Sequence, residues 1–475
     1  MNQIQNKRNV DRQDESNGSP KSGNFEHVQS TSASTVKSKS LQKQKKNWFI
    51  IKVLIALFAW AILFISTSSK YTTRADTGLP FVDEYSAQED QIPLEEETML
   101  SATVAGLEKG NIYFYMYDHP NITMAGNVWN TRPRYRHFRT LEGANDEQML
   151  EALAESPLRT FNMSKADLFI PPIPMANILC SSGGNGGNFN LPMQTLSEQE
   201  TFKKHKGNKH VLISTTFSLY RQNYRSYTGM KHWYDIMYNM TVVQSWDPVS
   251  YHNALLHHKT LEWGDYQSNG VVDPSLSRRS VSVGLGANNK DLKLCLASVD
   301  KFHNSSNFVF YQSQTGPSVN NSTIYRHAPM TIVQDNGSFP KSSIGWGLDP
   351  EAWHSEYTSS KFCLMIRGDS SHSHALWRSI RVGCIPVIVS NQLPVYAPMF
   401  KSTLNMSDYA VMLDEKDLLN DPRKALLKLD NMTEDEIRVK IKHLAFAQRV
   451  IFTDHPRSLF VPAFLKEAVL APEVL

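Results

Sequence analysis

The sequence predicts an α/β protein built on parallel, doubly wound sheets and held on a membrane by one N-terminal helix. Three observations carry this. Short apolar strands alternate with helical segments from residue 111 onward. Residues 361–390 read as a complete strand–loop–helix–strand unit, the size of one crossover. The 18-residue run Trp48–Ile65 holds a single charge, Lys52.

Of the 475 residues, 41% are hydrophobic and 10% aromatic, which excludes a wholly disordered or fibrous chain. The net charge of +3 hides an asymmetry: 10 Lys/Arg stand against 4 Asp/Glu in residues 1–65, and 39 against 42 in the rest. A nearly neutral globular part lacks the basic face of a general nucleic-acid binder, and no nucleic-acid partner is expected. Four cysteines exclude a disulfide-dense scaffold and leave little room for a zinc module.

Residues 1–46 are polar, with almost nothing to bury, and read as a disordered tail. The apolar run follows, and the anchor is placed at 47–66. Its length just spans a hydrocarbon core of about 30 Å, and Lys52 lies near enough to one end to snorkel. Lys43, Lys45 and Lys46 precede the span, whereas Asp76, Asp83 and Glu84 follow it, with Lys70 and Arg74 between. The positive-inside rule then puts the tail in the cytosol and residues 66–475 across the membrane. A cleaved signal peptide would need an n-region of 46 residues and an Ala-x-Ala site directly after the run, and no such site follows it there. Sequons at Asn121, Asn162, Asn239, Asn304, Asn320, Asn321, Asn336, Asn405 and Asn431 fit a luminal orientation. An oxidising lumen permits disulfides among Cys180, Cys295, Cys363 and Cys384, with three pairings open.

Residues 67–108 sustain no apolar period and read as a stem. The first globular part, 109–300, opens with the aromatic strand 111–117, ending at Asp118-His119-Pro120. A helix follows at 144–155, with Met149, Leu150 and Leu153 on one face. Strands are expected at 166–172 and 210–215, and a flexible Gly-rich loop at 181–187. The second part, 301–475, carries strands at 307–311, 361–366 and 384–390. A Ser-capped helix at 374–382 ends at Gly383, and a capped helix starts at Thr433 with Glu436 three residues on.

The loop 367–374 carries the chemistry. It follows a strand, at the end where open parallel sheets hold ligands, and it feeds a helix N-terminus, where free N–H groups attract an anion. Ser370, Ser371 and Ser373 add hydroxyls, while Arg367, His372 and His374 add positive or titratable groups. These suit a diphosphate. An ordinary Ser-capped turn is the competing reading. The Walker lysine pattern is absent.

The runs Lys361-Phe-Cys-Leu-Met-Ile-Arg-Gly-Asp369, Ser373 and Gly383-Cys-Ile-Pro-Val-Ile-Val-Ser390 resemble the signature of the exostosin glycosyltransferase family. Tyr113–Asp118 resembles its opening strand, and Ala166–Pro171 its Ala-Asp-apolar-Pro strand, where Asp167 is an edge residue. The resemblance covers about residues 110–410 and is strongest over 361–390. It implies a GT-B fold, two Rossmann-like domains facing a cleft, with a nucleotide-sugar in the C-terminal domain and the acceptor against the N-terminal one. It also implies inversion at the anomeric carbon without a bound metal and a type II Golgi layout. The sequence has no Asp-x-Asp to hold a divalent ion and no His/Cys ligand spacing, so no cofactor is expected. The implied donor residues are Arg326, Arg367, Gly368, Ser371, Ser373, His374 and Arg378. The chain departs from the family pattern with His374 at an arginine position and Met365 where proline is common. A histidine is a full cation only below a pKa of roughly 6.5; Arg326 or Arg378 can supply the permanent charge.

Inversion needs a general base. Asp118 and His119 follow the first strand and are the leading candidates; Asp-His-Pro is equally good turn chemistry. Asp335, Asp349 and Glu351 are the others. Trp346 or Trp353 can stack on a sugar or a base, or simply anchor a loop. Cys363 and Cys384 lie on strands that one crossover sets side by side, either as buried apolar residues or as a disulfide. The expected function is transfer of a sugar, from a donor expected to be UDP-linked, to a glycan or glycoprotein at the Golgi membrane, with homo- or hetero-oligomers allowed. The alternative is an inactive, glycan-binding or scaffolding subunit.

Overall fold

The computed structural model describes residues 94–123, 141–173, 175, 190–215, 235–247, 279–284, 286, 292–313, 324–334, 339–367 and 371–471. The tail and apolar run, the Gly-rich loop, Cys180, Asn320, Asn321, Asp335, Asn336 and Gly368–Ser370 lie outside them. Among the described residues no helix is long and apolar enough to cross a membrane.

The fold is mixed α/β with parallel sheets. The first half contributes β1 (Phe114–Met116), β2 (Leu168–Ile170), β3 (Val211–Ile213), β4 (Thr241–Gln244) and β5 (Arg279–Ser282). β1 pairs with β2, β3 with β4 and β4 with β5, all parallel, and the bridge Phe169↔His210 joins the two groups. The second half is one parallel sheet of β6 (Asn307–Ser313), β7 (Ser343–Trp346), β8 (Ser360–Ile366), β9 (Ile385–Val389) and β10 (Val411–Met412), in the order β10-β9-β8-β6-β7. Phe362 lies against Ile385 and Ile366 against Val389. β9 is buried at every position and β8 at all but Lys361, as expected for parallel strands covered on both faces.

Seven helices matter below: α1 (Leu94–Lys109), α2 (Leu141–Ala154), α3 (Pro350–Thr358), α4 (His374–Arg381), α5 (Glu415–Asn420), α6 (Glu434–Ile451) and α7 (Phe460–Leu470). α1 lies in the span expected to be stem. Its Leu100, Val104 and Leu107 fall on one face and pack into the core, and Glu108 pairs with Arg449 of α6 at 2.8 Å. An apolar stripe three residues deep was too short to register against the polar composition around it. α7 leaves the second half and packs on β5 and α1. α6 begins with the expected capping box, Thr433 and Glu436 exchanging hydrogen bonds.

α4 shows why the crossover folds locally. Ser373 caps it, its hydroxyl accepting the Ala375 N–H at 3.3 Å. Leu376, Trp377 and Ile380 bury one face. Gly383 ends it with φ +64°, and a Cβ there would stand 2.8 Å from the Cys295 carbonyl oxygen, so only glycine fits the stop. Cys363 and Cys384 form a disulfide with their Cα atoms 5.9 Å apart. It lies in a small apolar cluster with Phe310, Tyr357 and Val382, against which Trp353 packs. Trp353 is therefore a core anchor. Cys295 is a free thiol.

Arg381, the last residue of α4, is buried. Its guanidinium donates to Asp454 at 2.9 and 2.6 Å and to the Leu292 carbonyl at 2.5 Å, and it lies over Trp377 and Phe452. This bidentate pair ties the crossover to the segment between α6 and α7.

Two fully buried histidines make the fold acid-sensitive. Burial, then nearby His205, pushes His210 down to about 3, where its Nε2 meets the Tyr117 hydroxyl at 2.7 Å. Burial, then neighbouring His374, pushes His372 down to about 3. Below an unfolded value of about 6.5 the unfolded chain takes up protons that the folded chain refuses. Stability present above that pH is therefore lost toward about 3, at about 1.4 kcal/mol per pH unit for each histidine. Urea titrations between pH of about 7.5 and 5 should show the midpoint falling on the acid side; a flat profile would refute the neutral, buried state of both rings.

Candidate functional site

The second sheet changes winding direction between β6 and β8, so its ligand crevice lies outside their carboxyl ends. The segment after β8 and the helical turn Ile324–His327 after β6 line it. Arg367 extends from β8 with its guanidinium 5.1 Å from the Tyr325 ring centroid, and its Nη1 is 3.5 Å from Glu415 Oε2 at the start of α5. Glu415 also accepts the Asn391 N–H at 2.9 Å, which fixes its direction. Arg326 lies beside Tyr325, and its carbonyl accepts the Tyr311 hydroxyl at 3.0 Å.

The loop entering α4 is held from β9. Ser390 donates to the Ser371 carbonyl at 2.7 Å, and Ser371 donates to Gln392 at 3.4 Å. Ser371 is buried against β9's end, while Ser373 serves the helix cap. Arg378, one turn into α4, lies 5.5 Å from the Trp353 ring and faces α3, away from the loop. The structure thus brings Arg326, Arg367, Ser373 and His374 to one carboxyl edge and turns Arg378 elsewhere.

His374 is the first residue of α4, and its Nδ1–H donates to the carbonyl of Gly286, beyond β5, at 2.9 Å. Loop and first half therefore meet here. Asn145 of α2 completes the junction: a Cβ on Gly286 would fall 2.4 Å from its side chain. With Nδ1 donating, a neutral imidazole carries a lone pair on Nε2; only the imidazolium can donate to a phosphate oxygen. A second contact joins the halves nearby. Buried Asp247, after β4, accepts Lys401 Nζ at 2.7 Å and the Ser280 hydroxyl, and its N–H donates to the Tyr396 carbonyl at 2.9 Å.

Asp118 and His119 stand at the carboxyl end of β1. Asp118 is exposed and accepts the Tyr115 hydroxyl at 3.3 Å. His119 Nδ1 accepts the Asn121 N–H at 3.2 Å, so the neutral ring carries its proton on Nε2 and presents a donor. Asp118 is therefore the proton acceptor of the two. β1 is four strand positions from β5, about 19 Å at about 4.8 Å per strand. A donor bound at α4 reaches Asp118 only by extending along the carboxyl edge. Asp349 caps α3, accepting the Glu351 and Ala352 N–H groups, which occupies its carboxylate structurally. Glu351 lies exposed in the first turn of α3. Trp346 ends β7 and is 51% exposed at the carboxyl edge, unlike Trp353.

Asn145, Gly286, Glu415, Tyr325 and the Asp247–Lys401 pair escaped the sequence. Only Asp414-Glu415 carried a signal, two acids opening a helix. A cavity of about 260 Å³ lined by Leu107, Gly110, Leu158 and Leu465 lies at the opposite, amino end of β1 and is remote from these groups. Among the described residues no group of three or more His, Cys, Asp and Glu side chains is placed to hold a metal ion.

Fold and site define an α/β protein of two parallel sheets whose carboxyl edges are joined at the N-terminus of α4. The exostosin GT47 domain matches residues 108–429, and the chain belongs to that family of glycosyltransferases. No curated protein matches the sequence. Among solved structures, that of Arabidopsis thaliana UGT89C1 complexed with UDP is similar, with 9% identity and a TM-score of 0.27, over 78% of this chain and 96% of that one. A likeness this remote carries no assignment.

Proposed function

We propose that the protein is a GT-B-type, inverting glycosyltransferase of the Golgi membrane. It moves a sugar from a nucleotide-sugar, UDP-linked, to a glycan or glycoprotein acceptor without a bound metal. The observation that carries the reading is the junction at α4. There a helix N-terminus, capped by Ser373 and headed by His374, opens where the two sheets' carboxyl edges meet. A leaving diphosphate is stabilised by such an N-terminus and by cations aimed at it. Ser373, His374, Arg367 and Arg326 supply these, the nucleoside lies in the β6–β8 crevice, and Asp118 stands on the acceptor side. The apolar run, the basic flank before it and the sequons support the type II, luminal placement.

A second reading has its own support. Arg367 is engaged by Glu415, Arg378 by Trp353 and Arg381 by Asp454, while His374 gives Nδ1 to Gly286. A loop so engaged suits a non-catalytic, scaffolding subunit.

Nucleotide binding and turnover separate the two. The luminal fragment from about residue 75 is titrated with nucleotides and nucleotide sugars, with and without chelator, and its melting followed. Occupancy at 100 times the dissociation constant stabilises by about 2.7 kcal/mol. The expected result is a chelator-insensitive shift with one nucleoside diphosphate and its sugar. No shift with any nucleotide from a cooperatively folded fragment favours the scaffold. A chelator-sensitive shift overturns the metal-free step.

A further inference from the structure

We propose that Asn162 is the principal N-glycosylation site among the described sequons, an inference that rests on the luminal placement above. The six described sequons differ in what their side chains do. Asn162 Oδ1 accepts both the N–H of Ser164 at 2.9 Å and its hydroxyl at 2.7 Å. This is an Asx turn made wholly inside the Asn-x-Ser triplet, so it forms without the rest of the fold. Residues 161–165 are all exposed.

Elsewhere the same groups are committed. Asn121 Nδ2 donates to Thr195 at 3.4 Å and Thr123 to the His119 carbonyl, in a helical turn. Thr241, the sequon hydroxyl for Asn239, is the buried first residue of β4. Asn304 closes a helix. Asn405 makes a similar turn, its Oδ1 accepting the Ser407 N–H at 3.4 Å, but its Nδ2 is held by Asp408 at 2.9 Å and its hydroxyl partner does not bond back to it. Asn431 Nδ2 donates to the Leu427 carbonyl, and Thr433 caps α6.

The surface around Asn162 points the same way. Phe161 is 81% exposed and Met163 42% exposed, and the Arg159 guanidinium lies 4.8 Å from the Phe161 ring centroid. An apolar pair bared to water on both sides of one asparagine is what a bulky polar sugar would cover. In the transfer, Asn162 Nδ2 bonds to the anomeric carbon of a lipid-diphosphate-linked oligosaccharide. The carbon–oxygen bond to the diphosphate breaks, its electron pair leaves on the diphosphate oxygen, and Nδ2 gives one proton to the transferring enzyme's base.

The full chain is expressed in a eukaryotic secretory host, treated with an amidase that releases N-glycans, and mapped by glycopeptide mass spectrometry. A parallel version carries an added C-terminal Asn-Gly-Thr sequon. The expected result is severalfold higher occupancy at Asn162 than at the other five described sequons. Asn162→Gln and Ser164→Ala should each remove one step of the mobility shift, and Ser164→Thr should keep it. A bare Asn162 alongside a filled C-terminal sequon overturns the inference while leaving the luminal placement intact. A bare C-terminal sequon together with a bare chain overturns the luminal placement and the inference with it.

Discussion

Arg381→Ala lowers the stability of the folded chain by about 3–5 kcal/mol, read as a fall in the urea midpoint without loss of slope. The substitution removes more than a salt bridge. It empties a buried volume between Trp377 and Phe452, strands the Leu292 carbonyl and leaves the Asp454 carboxylate without its bidentate partner. Asp454→Asn is milder, because the Asp454 side chain is 43% exposed and water takes up part of the lost interaction. Arg381→Lys keeps the charge, loses the fork and falls between them. An Arg381→Ala protein within about 0.5 kcal/mol of the parent would show that the pair is incidental.

Asp118→Asn raises the acceptor KM severalfold and leaves kcat and the donor KM nearly unchanged, because Asp118 stands about 19 Å along the edge from β5 and beyond reach of a sugar carbon bonded to a diphosphate at α4. The amide keeps the shape and the hydrogen bond from Tyr115 but loses the charge. His119→Gln has a smaller effect, because the ring already presents a donor there. A parent-like acceptor KM in Asp118→Asn removes Asp118 from the site. A fall in kcat by about 10²–10⁴ would instead make it the general base and move the diphosphate away from α4.

In the second half β6, β8 and β9 were legible to within two residues because they are apolar, and β8 and β9 are buried almost throughout. Phe362–Ile366 and Ile385–Val389 announce themselves, and Ser373 and Gly383 punctuate the helix between them. The first half was legible at β1, β2, β3 and α2, where aromatic or aliphatic residues run together or share a face. β4 and β5 are four residues each and bury Thr241, Gln244, Ser280 and Ser282, so no apolar period marks them. β7 contains glycine and ends on an exposed tryptophan. The position of the α4 loop was legible for a related reason: it sits between two strong elements. Its long-range partners were not. Gly286 meets His374 across 88 residues, and Asp247 meets Lys401 across 154. Nothing local encodes such a meeting. Arg378 was misread for the opposite reason: proximity in sequence suggested the loop, whereas one helical turn carried it to Trp353.

The placement of α7 has a consequence for the order of assembly. α1 and β5 come long before their covering helix, Phe460–Leu470, in the chain. The first half cannot finish its core until α7 is made. At about 5–20 residues per second, α1 and β5 wait tens of seconds for α7. A nascent chain of this protein therefore exposes that uncovered surface until α7 is made. A premature stop before α7 would leave β5 and α1, not just the truncated end, without their cover.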